Sequence, residues 1–257
     1  MFKISSTLFL VFFLFLITDT LFGQQERYRF IGVESGIDFQ DCELPEFEFI
    51  RGDISSYGAG NVANDLMWYF QKWYLGIKIE IRSNNNKFGL FSGLRYTKIN
   101  TSLGKFSNWS SNTDFFYLLY KQEGTTTEYL KIKEINQSSN YLGIPIEIRY
   151  LPFKTGLFRL FFKAAAEINY RLNTTSDVVF YNNAMEYYQD DVINKFDEPN
   201  NFYSTLYFSV GWKFGKDNKP NINLEASFPS FFLTDNSSGL VKPITGGGFQ
   251  LNIQIPF

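Results

Sequence analysis

The chain offers few residues of the types that carry out catalysis. Its 257 residues contain no His and a single Cys, Cys42. The lack of His excludes hydrolase triads and dyads with an imidazole base, His-ligated catalytic zinc and His-ligated haem. One Cys excludes an intramolecular disulfide and a Cys-rich zinc site, and we interpret Cys42 as an unreactive thiol. We therefore predict no catalytic residue, no cofactor-binding residue and no metal-binding residue.

Carboxylates are the remaining chemical groups of interest. Residues 41–72 carry a net charge of -4 and residues 174–201 a net charge of -5, whereas the whole chain carries -2. Since Ca²⁺ binds oxygen ligands, one interpretation is a calcium site that uses Asp190, Asp191, Asp197 or Glu198. The other is a solvated acidic surface. The spacing matches no twelve-residue calcium loop, which favours the solvated surface.

The elements that position these residues follow a targeting segment. Lys3 precedes ten apolar residues at 8–17, and Gly23 supplies a small residue before two glutamines. This order predicts a signal peptide at residues 1–23, cleaved after Gly23, and one domain at 24–257. A retained membrane anchor is the alternative, but ten apolar residues are too few for a helix that spans a bilayer.

Eight segments of the domain alternate between apolar and polar residues, which predicts β-strands with two unlike faces. In the clearest case, Ile77 and Ile79 fall on one face and Lys78 and Glu80 on the other. The eight predicted strands are 27–39, 73–83, 88–101, 140–151, 157–172, 202–214, 221–233 and 246–257. Their lengths suit tilted strands that cross a bilayer.

The connections between the predicted strands alternate in length. The long connections are 40–72, 102–139 and 173–201, and the short turns lie at 84–86, 152–156 and 216–219. Long connections follow odd strands and short turns follow even strands. We therefore predict an all-β fold, an eight-stranded antiparallel up-and-down transmembrane β-barrel with long extracellular loops and short periplasmic turns. A secreted sandwich or a lipocalin-like barrel also alternates, and is the alternative.

Charges and aromatic residues favour the membrane barrel. The polar faces combine Gly and Ala with charges of both signs, as a crowded lumen of paired charges requires. Those charges are Lys78, Arg82, Arg95, Arg149, Lys163, Arg171 and Lys213 with Glu34, Glu80, Glu147, Glu167 and Glu225. Aromatic residues at strand ends predict interfacial belts: Trp68, Tyr69, Phe70, Trp73 and Tyr74, with Tyr150 and Phe153. Pro145 lacks an N–H and predicts a bulge or bend in the wall.

The segment Tyr141 to Tyr150, YLGIPIEIRY, resembles the central strand of the PorT-like family of outer-membrane β-barrel domains. The segments 162–170 and 211–215 are similar too, and the resemblance covers essentially all of residues 24–257. Gly143 departs from the family, which has an acidic residue there. The resemblance implies an eight-stranded barrel in the outer membrane of a Gram-negative bacterium. It implies little about function, although one branch of the family is linked to protein secretion.

These features predict the surroundings of the protein. We expect contact with outer-membrane lipid and lipopolysaccharide. We also expect recognition by the barrel-insertion machinery, because Phe257 ends an amphipathic strand. The charge of -2 gives no reason to expect nucleic acid.

Function is expected in the outer loops, because an eight-stranded barrel has no wide pore. Segments 115–121 and 127–134 predict a hairpin that extends the wall. Its aromatic residues, with Phe180, Tyr181, Tyr187 and Tyr188, bind a glycan or a protein, or pack the loops together. We predict a non-enzymatic envelope, surface-interaction or secretion-assembly component. The alternative is an outer-membrane enzyme that modifies lipid or peptide with carboxylates in place of His.

Overall fold

The computed structural model of the protein describes residues 29–51, 66–83, 85–104, 115–123, 126–153, 157–234 and 237–257. The predicted signal peptide at residues 1–23 and its cleavage site lie outside the described residues. The strands are β1 (Arg29–Glu43), β2 (Ile50–Arg51), β3 (Met67–Arg82), β4 (Phe88–Gly104), β5 (Phe116–Glu123), β6 (Thr126–Tyr150), β7 (Phe158–Phe180), β8 (Phe202–Phe214), β9 (Asn221–Phe232) and β10 (Lys242–Pro256).

Eight of these strands form a closed antiparallel ring. Its order is β1, β3, β4, β6, β7, β8, β9 and β10, and β10 pairs again with β1. Strands that are consecutive in the ring are also consecutive along the chain, apart from β2 and β5, which lie outside it. The predicted eight-stranded up-and-down β-barrel is therefore confirmed.

The two faces of the wall are inverted relative to a water-soluble protein. On β3 the side chains of Ile77 and Ile79 are exposed, whereas those of Lys78 and Glu80 are completely buried. The other strands of the ring show the same division across the membrane-spanning part. An exposed aliphatic face around a closed ring is stable in contact with lipid. This excludes the soluble sandwich and the lipocalin-like barrel.

Exposed aromatic rings lie at both ends of the apolar band. The pairs, with their centroid separations, are Trp73–Tyr96 (5.8 Å) and Tyr170–Phe202 (4.9 Å) at the long-loop end and Phe88–Tyr150 (5.1 Å) at the short-turn end. Tyr96 lies eight positions after Phe88 along β4. At about 3.3 Å per residue and a tilt of about 40°, the band is roughly 20 Å high, close to the apolar band of known barrels.

The predicted belts are correct for Trp73, Tyr150 and Phe153, whose rings are on the outside. Tyr69 also points outward, but it lies beyond the outer aromatic pairs, four positions before Trp73 on β3. The other three members were assigned wrongly. Phe70 and Tyr74 are buried inside the wall, because they have the inward parity of β3. Trp68, also predicted for the belt, packs against the apolar cluster inside the barrel's outer end.

The wall continues beyond the outer aromatic pairs. We call this part the outer extension: residues 40–43, 67–71, 98–104, 116–123, 126–140 and 173–180. The prediction that 40–72, 102–139 and 173–201 are connections is therefore wrong over much of their length. The predicted hairpin is confirmed as β5 with the start of β6, which pair from Phe116 with Ile132 to Glu123 with Thr126. β2 adds two residues to its edge.

Two local predictions had different outcomes. The Asn-rich turn before β4 is confirmed at Asn86, which adopts φ 54°, the left-handed conformation that Asn tolerates. Of the bulge or bend predicted at Pro145, the bulge is wrong, because the register of β6 with β7 is unchanged from Ile144 to Ile146, and the bend stays a prediction. The missing N–H instead coincides with an interrupted ladder to β4, whose pairs stop at Ser92 and resume at Arg95.

Helical structure in the described residues is limited to the connection after β7. A 3₁₀ helix covers Asn183–Tyr188, capped by the Asn182 side chain, and α1 covers Gln189–Ile193. Among the described residues no helix is long and apolar enough to cross a lipid bilayer. The two helices cover the outer extension, with Val192 buried in its interior.

Candidate functional site

Arg95 lies at the centre of a buried ionic network in the lumen. Its guanidinium group contacts the carboxylates of Glu34 at 2.7 Å, Glu167 at 2.8 Å and Glu147 at 3.0 Å. All four side chains are fully buried. A guanidinium has five donors in a rigid fork, so it can bond several carboxylates at once. The arrangement joins β1, β4, β6 and β7 across the lumen.

Glycines on the neighbouring strands make room for Arg95. Gly76 pairs with Arg95 on one side and Gly143 on the other. A Cβ atom at Gly76 would lie 2.9 Å from Glu34 Oε1, and one at Gly143 would lie 2.9 Å from Glu167 Oε1. Gly143, the departure from the PorT-like pattern, therefore sits where a larger side chain would collide with the Asn169 amide and the Glu167 carboxylate.

Three lysines complete the middle of the network. Lys78 contacts Glu34 at 2.7 Å and Glu147 at 2.8 Å. Lys163 contacts Glu147 at 3.1 Å and also pairs with Glu225. The remaining lysine, Lys72, lies 3.4 Å from Asp38 and 3.5 Å from Glu167. Buried charges are stable only when they are paired and hydrogen-bonded, and these contacts meet that requirement.

A second charged cluster fills the short-turn end. Glu80 pairs with Arg149 and, at 2.8 Å, with Arg82. Asp217, in the turn between β8 and β9, contacts Arg159 at 2.6 Å and Lys213 at 3.5 Å. Burial raises the pKa of Asp217, but the Arg159 hydrogen bond and the nearby cations outweigh it and hold that pKa below its usual range.

The outer extension encloses an apolar cluster instead of charges. The cluster includes the buried side chains of Ile99, Leu103, Phe116, Leu118, Leu130, Ile132, Ile135, Val178 and Phe180. Phe196, from the connection after β7, packs edge-on against Phe47 at 5.2 Å and Phe49 at 5.1 Å. These ring contacts connect the segment after β1 with the segment after β7 on the outer side of the apolar cluster.

Residues 237–241, which we call the plug, fold into the outer mouth. Gln137 Oε1 accepts hydrogen bonds from the Gly239 backbone N–H at 2.9 Å and the Ser238 hydroxyl at 3.5 Å. The Tyr141 hydroxyl donates to the Ser237 carbonyl at 3.3 Å. Leu240 and Val241 join the apolar cluster. Among the described residues, the plug and the cluster lie in the outer mouth, above the ionic network in the lumen.

The four acidic residues considered for calcium do not converge. Asp191 accepts a hydrogen bond from Tyr120 at 3.0 Å, and Glu198 pairs with Arg171 at 2.8 Å. Arg171 was predicted on the lumen face, and it has that parity, because it pairs with the buried Tyr141 between β6 and β7. Its guanidinium group reaches Glu198 at the outer end. In the described part of the chain no three Cys, Asp or Glu side chains are grouped so that they could hold a metal ion.

Two ionisable groups of the outer end have raised pKa values. Burial, reinforced by the Asp41 charge, raises the pKa of the Cys42 thiol to about 12. A thiol that stays protonated at neutral pH is a poor nucleophile, in agreement with the predicted unreactive Cys42. The hydrogen bond from Tyr120 to Asp191 raises the Tyr120 pKa.

Most of the outer aromatic residues considered for binding pack against their neighbours. Tyr188 packs against Tyr120 with tilted rings at 4.8 Å, and Phe180 is buried in the apolar cluster. Tyr181 lies beside the Lys131 ammonium at 5.6 Å. Tyr187 differs, because 89% of its surface is exposed. It is the outer aromatic residue best placed to meet another molecule.

The sequence reasoning missed Lys72, Arg159 and Asp217 as members of the ionic network. Lys72 lies one residue before the predicted strand 73–83, yet it continues the inward parity of Tyr74. Extending that parity by one residue would have placed it in the lumen. Arg159 has the inward parity of its strand, and Asp217 lies in a turn where no periodicity points inward.

A closed ring with charged residues inside, aliphatic residues outside and aromatic rings at both edges is an integral outer-membrane β-barrel. The outer-membrane location predicted from the sequence is confirmed. The short turns, Arg29 at the start of β1 and Phe257 lie at the periplasmic end, and the outer extension faces the opposite way.

Comparison with solved structures finds outer-membrane barrels. OprG from Pseudomonas aeruginosa has 11% identity and a TM-score of 0.42, with 92% of this chain and 98% of that chain covered. Neisserial surface protein A (NspA) has 9% identity and a TM-score of 0.39, with 91% and 100% covered. Ail of Yersinia pestis, in complex with the heparin analogue sucrose octasulfate, has 9% identity and a TM-score of 0.36, with 91% and 100% covered.

No family model matches this sequence, and no curated protein matches it.

Proposed function

We propose that the protein is a non-enzymatic component of the outer membrane that acts through its outer extension as an envelope or surface-interaction component. The observation that carries this proposal is the filled interior. The lumen holds the Arg95 network, and the plug and apolar cluster lie in the mouth above it. Among the described residues, paired side chains therefore occupy the interior, which supports a barrel that serves as an anchor for what lies above the membrane.

Secretion assembly is the form of this role that the PorT-like resemblance supports. The resemblance rests on the strand from Tyr141 to Tyr150 and carries no site residues for a substrate. Outer-membrane lipid and lipopolysaccharide surround the barrel in this proposal, and the barrel-insertion machinery places it in the membrane.

The charge pairing argues against an enzyme that uses carboxylates. A general acid or base must reach its substrate and change protonation near neutral pH. Glu34, Glu147 and Glu167 are fully buried and each contacts at least one cation. The enzyme proposal predicts an altered lipid A acyl pattern in cells that contain the protein, and we expect an unchanged pattern.

The absence of a conducting pore is tested in planar lipid bilayers. We expect the refolded full chain to insert without stable conductance steps. A variant in which residues 237–241 are replaced by Gly and Ser should also be silent, because the ionic network still fills the lumen beneath the plug. Stable conductance from the unaltered protein would contradict the proposal that the barrel is only an anchor.

The working surface is tested by photo-crosslinking in intact cells. A crosslinking residue at Tyr187, which is exposed at the outer end, should give adducts with an envelope or surface partner. The matched control is the same residue at Ile146, which faces lipid and should give lipid adducts. The same adducts at both positions, or none at Tyr187, would overturn the assignment of the outer extension as the working surface.

A further inference from the structure

A polar groove of about 360 Å³ lies on the wall of the outer extension. It crosses four neighbouring strands, which contribute Tyr69 from β3, Asn100 from β4, Asn136 and Ser138 from β6, and Asp177 from β7. These residues have the parity of the outward face, so the groove opens sideways, away from the apolar cluster.

The groove lies just above the lipid-facing band. Asn100 follows Tyr96, an outer belt residue, by four positions along β4. At about 3.3 Å per residue and a tilt of about 40°, that spacing is on the order of 10 Å of height. The groove is therefore beyond the hydrocarbon, at the level where the headgroup sugars of outer-leaflet glycolipid begin.

Cross-strand hydrogen bonds hold the polar side chains around the groove in fixed positions. The Ser138 hydroxyl donates to Asn100 Oδ1 at 3.0 Å. Just below, the Tyr96 hydroxyl donates to Asn140 Oδ1 at 2.6 Å, and Asn140 Nδ2 donates to Asn173 Oδ1 at 2.6 Å. A site on paired strands is pre-organised, so a ligand loses less free energy in ordering it.

The lining residues suit the hydroxyl groups of a sugar. Amides and hydroxyls both donate and accept hydrogen bonds, as sugar hydroxyls do, and the Asp177 carboxylate accepts two more. Tyr69 is 44% exposed and offers an aromatic surface for the C–H face of a sugar ring. The described residues that line the groove include no Lys or Arg, so none of them could pair as a cation with a phosphate group.

We propose that this groove binds the core sugars of lipopolysaccharide in the surrounding outer leaflet. The proposal rests on the proposed function, because it names the chemistry of one partner of the outer extension. The lipid part of the molecule would contact the exposed aliphatic band below, and the sugars would occupy the groove. Binding from the side needs no opening of the plug.

The test uses the full chain in phospholipid nanodiscs, titrated with rough lipopolysaccharide, which has core sugars, or with lipid A, which has none. The apparent affinity is read from the rise in unfolding midpoint. We expect Tyr69→Ala, Asn136→Ala and Asp177→Ala each to weaken the binding of rough lipopolysaccharide about tenfold, as lost hydrogen bonds or ring contacts do. Binding of lipid A should be the same in all variants.

Three variants outside the groove serve as matched controls. Tyr181→Ala, Asn183→Ala and Glu186→Ala remove the same kinds of side chain from the exposed connection after β7. They should bind rough lipopolysaccharide as the unaltered protein does. If groove and control variants lose affinity equally, or if rough lipopolysaccharide binds no more tightly than lipid A, the proposal is wrong.

A final titration with the isolated core oligosaccharide identifies the source of the sugar. We expect it to bind more weakly than rough lipopolysaccharide and to be sensitive to the same three groove variants. If the free oligosaccharide binds more tightly than rough lipopolysaccharide, the proposal that the sugar is held in the membrane by its lipid part is wrong. Failure here is distinguishable from failure of the proposed function, since the crosslinks at Tyr187 and the lack of conductance do not depend on the groove.

Discussion

Along β4 the inward side chains change from Arg95, at the lumen centre, to Ile99 and Leu103 in the outer extension. The outward side chains change in the opposite sense, from Leu94 in the lipid-facing band to Asn100 at the groove. The wall is continuous through this exchange. One strand therefore meets two environments, and the medium outside the wall decides which kind of residue lies on each face.

The two interiors are stabilised in different ways. In the lumen the outward face rests in lipid, and the interior consists of charges that neutralise each other across the barrel. In the outer extension the outward face rests in water, so an apolar interior is stabilised by the hydrophobic effect. Removing one charge from the lumen should therefore lower the free energy of unfolding much more than removing one methyl group from the outer extension.

The largest expected effect is the loss of Arg95. Arg95→Met leaves Glu34, Glu147 and Glu167 with less positive charge, and should cost about 3–5 kcal/mol of barrel stability. The measurement is denaturant unfolding of the detergent-refolded chain. The control Arg171→Met removes a guanidinium whose partner Glu198 has 81% of its side chain exposed, so it should cost about 0–1 kcal/mol. Equal losses of stability in Arg95→Met and Arg171→Met would contradict the distinction between the buried network and the ion pair at the outer end.

The next effect separates the outer extension from the barrel. Ile132→Ala creates a cavity in the apolar cluster and should cost about 2–5 kcal/mol. We expect that loss to be local, so that limited proteolysis cuts the β5–β6 hairpin while the membrane-spanning strands stay protected. Ile132→Val should give a graded effect of about 0.5–1.5 kcal/mol. If both regions instead open together at every denaturant concentration, they are one cooperative unit.

A somewhat smaller effect tests the environment of the outward face. Ile79→Arg places a charge in the middle of the lipid-facing band and should cost about 2–4 kcal/mol. The same change at Val179, on the outward face of the extension, should cost about 0–1 kcal/mol because water solvates the new charge. Unfolding in lipid vesicles measures both. Similar costs at the two positions would contradict the height assigned to the apolar band.

The same exchange of faces explains what could be predicted from the sequence. The eight membrane-spanning segments keep one phase of alternation, so their order, faces and closure were predictable. At Lys98 and Asn100 the apolar residues move to the other parity of β4, so the outward apolar pattern ends although the strand continues. Similar changes of parity near Asn140 and Leu172 explain why one predicted strand began at residue 140 and another ended at residue 172.

The polar groove and the ionic contacts depend on long-range pairing. Tyr69, Asn100 and Asp177 lie on three strands far apart in the sequence, and their polar character alone suits any exposed loop. At Asn140 and Tyr141 the register of β6 with β7 shifts by one residue, which alternation does not specify. The charges of the lumen were predictable, but the choice of Glu34, Glu147 and Glu167 as partners of Arg95 was not.

The smallest effect concerns the pH response of the periplasmic end. Because Arg159 and Lys213 lower the Asp217 pKa in the folded protein, ionised Asp217 stabilises the barrel. That contribution is complete above the unfolded carboxyl pKa of about 3.9 and is lost as the pH falls through the lower folded value. The stability advantage of the unaltered protein over Asp217→Asn should therefore be constant from neutral pH to about pH 5 and shrink below about pH 4.

Asp217 is partly exposed, so solvent screening keeps this advantage small relative to that of Arg95. Unfolding midpoints of both proteins at matched pH values measure it. Protease protection of the β5–β6 hairpin serves as the control, since the cluster around Ile132 and Leu103 contains no titrating group that depends on Asp217. An advantage that stays the same at pH 3 and pH 7 would show that Asp217 acts through its shape and not its charge. In that case the charge pairing that stabilises the lumen would not stabilise the periplasmic turn.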